Sequence, residues 1–168
     1  MTAYLYQSPS GVPGDVTRVD ESSVEPAFLI TPFPSNFGAA MKYATGGVTP
    51  FAAADAAAVF CGVLARAVPG ISQSSANEVV NTFQPNQSEV NGLMTRGYIN
   101  VFCNAGTPVR GALVYIVQTA SAGHPAGAFE ADNVTGNNVQ LTATVVGNVT
   151  WATDGLDSAG NAEIRIAQ

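Results

Sequence analysis

Gly97–Val117, GYINVFCNAGTPVRGALVYIV, is the stretch that decides the fold. Ile99, Val101 and Cys103, then Leu113, Tyr115 and Val117, place apolar β-formers at every second position, the spacing of strands with one buried face. Asn104 to Pro108 interrupts the two runs with turn-forming residues. No catalytic equipment stands nearby, so the stretch is the wall of a domain.

The same grammar extends downstream. After the broken link SAGHPAG come NNVQLTATVV, NVTWAT, a polar turn DGLDSAGN and a closing run AEIRIA. In that run Ala162, Ile164 and Ile166 alternate with Glu163, Arg165 and Ala167, one face apolar and the other charged. Trp151 lies in an alternating strand and is expected in the core.

Upstream, AAMKYATGGVTPF (39–51) predicts a hairpin turning at Gly46-Gly47. Thr49, Pro50 and Ala52 to Ala58 favour a helix locally, but Val59, Phe60, Cys61, Val63 and Leu64 are strand residues. A helical turn or loop at about 52–57 followed by a strand from Ala58 to Ala67 is therefore expected. Residues 70–90, rich in Ser, Asn and Gln, form a long polar loop whose Val79, Val80 and Phe83 are suited to a partner. Residues 1–40 carry five prolines and no periodicity, which fits an extended arm; its Tyr4, Leu5, Tyr6, Phe28, Phe33 and Phe37 must lie on the domain or on a neighbour.

The whole is expected to be all-β, a small antiparallel barrel or sandwich at 41–168 with the arm at 1–40 and little helix. Composition agrees: 168 residues, 46% hydrophobic and only 11% charged, suffice for one core built from short strands. A net charge of −6 with six dispersed bases offers no track for phosphates, so nucleic acid is not an expected partner. Neither is a membrane: the N-terminus lacks a secretory pattern, and the longest apolar run, Phe51 to Val68, is interrupted by Asp55 and Arg66. Cytoplasmic synthesis follows, with Cys61 and Cys103 as reduced core thiols.

Chemical devices are sparse. The sole histidine, His124, sits in a turn and is expected to be an ordinary exposed residue whose replacement by alanine leaves folding intact. Glu130/Asp132 and Asp154/Asp157 lie beside turns, where solvation and Asx capping account for them. Zinc spacing, phosphate-binding loops and a full calcium loop are absent, so neither a metal nor another cofactor is expected. The chain is not expected to be an enzyme.

Taken in order, GDVTRVDESSVEPAFL, FCGVLARAVPG, MTRGYINVFCNAGTPVRGALVYIV, GAFEAD and DSAGNAEIRI span nearly the whole chain. Their order and spacing resemble the cement, or head-decoration, proteins of tailed bacteriophages. The Ala-rich 52–58 segment and the 70–90 loop depart from that pattern. The resemblance implies a β subunit on the outer surface of the virion, made in the host cytoplasm, that stabilises contacts between major capsid protein subunits. It also implies self-association, with a trimer at threefold positions favoured over a dimer. Tyr4, Tyr6, Asp15, Arg18, Phe33 and Phe37 are then the candidate capsid contacts, aromatic residues and Arg being common anchors, or else they pack on their own domain. A head or tail fibre and a carbohydrate-binding sandwich are the competing functions, the latter needing an exposed aromatic platform.

Overall fold

Sixteen residues of one strand, β5 (Val90–Ala105), tie the molecule together in a computed structural model that describes residues 11–66, 85, 90–133 and 138–167. Its first half pairs antiparallel with β1 (Ser23–Phe28) on one edge and β4 (Phe60–Ala65) on the other; Val24 and Val63 both stand opposite Met94. β4 continues to β2 (Ala40–Ala44), which forms a hairpin with β3 (Gly47–Pro50). Along its second half, β5 pairs with β10 (Asn161–Ala167), and β10 with β9 (Asn148–Trp151). Its end runs parallel to β7 (Phe129–Glu130), which leads to β6 (Tyr115–Val117) and β8 (Asn138–Gln140).

The architecture is all-β and sandwich-like. The sheet is mixed because of the parallel β5–β7 step, and it does not close into a barrel. Among the described residues, helix is confined to single 3-10 turns at Val19–Glu21 and Ala57–Val59.

Alternation along the strands sorts apolar residues onto two faces. Phe60, Val63, Met94, Ile99, Val101, Ile116, Phe129, Trp151, Ile164 and Ile166 belong to the larger core, whereas Ala27, Leu29, Met41, Val48, Cys61, Leu64 and Leu93 fill a smaller one. β4 feeds both, which is why FCGVLA is apolar without a break. Where β5 passes from one half to the other, Gly97 has φ +110°, and a Cβ there would fall 2.6 Å from Ser22 Cα. Only glycine fits that crossing.

The N-terminal segment is described from Gly11 onward, and there it follows the domain closely. Gly14 N donates to Asn100 O at 2.8 Å, Val16 bridges Ile99 and Thr17 N donates to Tyr98 O at 3.1 Å. After β1, Leu29 bridges Val48 and Phe37 packs on the smaller core.

Three local expectations change. In the 111–119 run the buried residues are Val114, Ile116 and Val117, while Leu113 and Tyr115 are half-buried, so the inward phase is shifted by one. The cause is tertiary: Ala112 O and Val114 N bond to Trp151 N and Val149 O, which sets the register before β6 begins. The hairpin turns at Thr45-Gly46, with Gly47 already in β3. The helical turn sits at Ala57–Val59 and the strand starts at Phe60; Ala67 and all of 70–90 except Pro85 and Val90 lie outside the described residues.

Candidate functional site

The most concentrated polar feature is built around Glu130, whose side chain is completely buried at 0% exposure. Three segments deliver donors to it. Asn104, near the end of β5, reaches Oε1 at 3.0 Å; Asn138 reaches Oε2 at 2.5 Å; His124 Nδ1 lies 2.5 Å from Oε1. The imidazole is presented by a tight turn in which Ser121 and His124 exchange backbone hydrogen bonds, and Asn104 Nδ2 also donates to Gly123 O of that turn at 2.9 Å.

This geometry corrects two expectations. Glu130 is a sealed, fully partnered carboxylate rather than a solvated turn residue, and His124 is held against it rather than free in a loop. A buried carboxylate needs such donors to offset its lost hydration. Nothing in local sequence places Asn104 and Asn138 around Glu130; the parallel β5–β7 pairing brings the first, and the pairing of β8 with β6 the second. The arrangement is suited to binding three segments together, since its acid is closed to any substrate.

Of the other acidic pair, Asp157 caps its own turn as expected, whereas Asp154 ties that turn to a distant segment. Asp154 Oδ1 accepts from Arg110 N, and Asp157 Oδ1 accepts from Ala159 N and Asn161 N, each at 2.8 Å. Among the described residues no group of three or more His, Cys, Asp or Glu side chains could hold a metal ion. Cys61 and Cys103 are free, buried thiols, and burial pushes them up to about 12 and about 11 respectively.

Of the candidate contact residues, Tyr4 and Tyr6 lie outside the described residues. Asp15 faces inward: Oδ2 accepts from Val12 N at 3.1 Å and Oδ1 stands 3.8 Å from Arg66 Nη1. Arg18 stacks 3.8 Å over the Tyr98 ring and pairs with Glu163 at 2.9 Å, which raises the guanidinium above its ordinary range; the Thr17 hydroxyl donates to the same carboxylate. Glu163, charged and on the outer face of β10, is buried by this clamp. Phe33, 37% exposed, opens onto a cleft of about 380 Å³ whose walls include Pro13, Pro34, Phe102, Pro125 and Phe129.

A further surface escaped sequence reading. Val24, Pro26 and Phe28 share one face of β1 while Ala27 turns into the smaller core. Phe28 is 61% exposed and stands opposite Val90, itself 54% exposed, so the two extend an apolar ridge across β1 and β5. Pro26 concealed the strand, because proline within a run argues against a strand unless it lies at an edge.

Trp151 is 1% exposed, which removes the one tryptophan as a sugar-binding platform. The fold and these surfaces define a structural class: a β domain whose titratable cluster is sealed and whose outward features are apolar. The family model described as XM1 gp53 minor capsid protein matches residues 1–166, and the chain belongs to that family. A chain in the capsid of Myoviridae phage XM1 is similar in fold, with a TM-score of 0.68 at 16% identity over 100% of this chain and 97% of that one. No curated protein matches the chain. The protein is thus a capsid-associated structural protein of a bacteriophage, a component of the virion.

Proposed function

We propose that the protein is a cement, or decoration, subunit that binds the outer surface of the head and stabilises contacts between neighbouring major capsid protein subunits. The observation that carries this reading is the ridge of Val24, Pro26, Phe28 and Val90, exposed apolar side chains set on a rigid sheet. Such a patch favours burial against a partner. Phe33 at the cleft and Tyr4 and Tyr6 in the N-terminal segment add aromatic anchors, while Asp15, Arg18 and Phe37 hold that segment in place.

The mechanism is physical rather than chemical. A stable interface removes roughly 1,000 Å² or more from water. A homotrimer at a threefold position would present three ridges together, so release of one leaves two attached. Binding only to the mature lattice stabilises it by mass action.

Purified heads lacking the protein test this reading. Wild-type chain should bind them and raise their resistance to heat, whereas Phe28→Asp should bind about 30-fold more weakly or worse, the loss expected for a central anchor. Equal binding by the variant, or heads equally robust without the protein, would overturn the reading.

A further inference from the structure

Residues 125–128, one wall of the cleft beside Phe33, form a strap pinned at both ends. His124 precedes it and Glu130 follows it, the two meeting at 2.5 Å, and Asn104, itself in the cleft wall, donates to Glu130 and to Gly123 O. Between those ends Gly127 N donates to Val117 O at 2.9 Å, and a Cβ on Gly127 would fall 2.8 Å from Phe51 O. A second wall is locked as tightly, since a Cβ on Gly38 would fall 2.7 Å from Pro13 Cβ. The opening of about 380 Å³ is therefore preformed, with the size and rigidity of a binding site.

Its chemistry is uniform. Among the described residues that line it none is charged, in a chain with twelve acidic and six basic side chains. Phe33 and Phe102 stand at it 37% and 47% exposed, and Pro13, Pro34 and Pro125 have no N–H to offer. A charge brought into such a site would lose its hydration without compensation, so the fitting occupant is neutral, and ring edges and faces favour an aromatic one. Position adds a second argument. Val90, in the apolar ridge, and Phe102, at the cleft, stand near the two ends of β5, roughly 40 Å apart at the rise of an extended strand. A standard interface covers about 800 Å² of each partner, a disc about 30 Å across, so one footprint does not cover both.

We propose that the cleft is a second docking site, which takes a neutral aromatic side chain of a coat subunit other than the one beneath the ridge. The site rests on the capsid-binding reading for its partner and deepens it, because a domain held at both ends of β5 bridges two neighbours.

Nuclear magnetic resonance of the free, full-length protein tests the site with N-acetylphenylalaninamide as probe. Its addition should shift the amides of residues 126–128, and N-acetylphenylalanine, the same ring with a carboxylate, should bind at least fivefold more weakly. Phe102→Ser and Phe33→Ser, both at partly exposed positions, should each weaken the probe at least tenfold and leave the rest of the spectrum in place. No shift at 126–128, equal binding by the carboxylate or by both variants, or tighter binding of N-acetylglucosamine would overturn the proposal. Shifts there on raising the protein concentration alone would assign the cleft to a second copy, and overturn it too. Heads lacking the protein supply the other arm: at equal occupancy, Phe102→Ser should give less than half of the rise in melting temperature that wild type gives, and equal protection would overturn the second contact. Wild type that takes the probe but never binds heads would instead sink the capsid-binding reading, and the coat partner with it.

Discussion

Replacing His124 with alanine should destabilise the fold by about 2–3 kcal/mol, the range of a hydrogen bond to a charged group. The magnitude follows from what remains around Glu130. Its carboxylate keeps the amides of Asn104 and Asn138 but loses the imidazole at 2.5 Å, in a site where the acid itself has no exposure. Breaking a fully buried ion pair costs about 3–5 kcal/mol. Because the His124 side chain is 20% exposed, water can enter the vacated space and the loss should stay below that. Urea unfolding at neutral pH measures it directly, and the melting temperature should fall by roughly 5–10 °C. His124→Gln, which restores a neutral donor, should recover about half. A loss under about 0.5 kcal/mol would refute the reasoning and return His124 to the role of a surface turn residue.

Three other outcomes are expected. Gly97→Ala should cost about 3 kcal/mol in chemical denaturation, because it joins a disfavoured backbone region to a clash with Ser22; a cost under 1 kcal/mol would show that the crossing can relax. Alkaline titration should reveal the buried thiols. An exposed thiol titrates near 9.0, whereas folding holds Cys103 to about 11 and Cys61 to about 12. Above pH 9 the unfolded chain therefore binds fewer protons than the native one, and stability falls as pH rises through 11, by at most about 1.4 kcal/mol per unit per thiol. Cys61→Ala and Cys103→Ala should each flatten that slope, and an unchanged slope would count against thiol burial as its cause. Arg18→Ala, whose own side chain is 44% exposed to water, should lower stability by only about 1 kcal/mol in urea unfolding; a larger loss would mean that the Tyr98 stack carries more than the ion pair.

Much of the architecture was written in local pattern. Ile99, Val101 and Cys103 and the AEIRIA alternation identify buried faces because a strand's side chains alternate whatever they pack against. The apolar run FCGVLA announces a strand buried on both sides, and Trp151 in its alternating context announces core. The order and spacing of its phrases resembled phage head-decoration proteins, and that resemblance pointed to the capsid; composition by itself indicated only a low-charge domain of short strands.

What tertiary structure alone decided are the features that need distant segments to meet. The phase of the 111–119 run was set by hydrogen bonds to residues 149 and 151, not by its own alternation. Glu130 became a buried hub only because a parallel step brings residue 104 beside it, with His124 reaching in from its turn and Asn138 from β8. The exposure of Phe28 and the opening beside Phe33 depend likewise on which neighbouring strands and turns leave a face uncovered. Periodicity reports which way a side chain points relative to its own strand; what it meets there is determined by pairing across the fold.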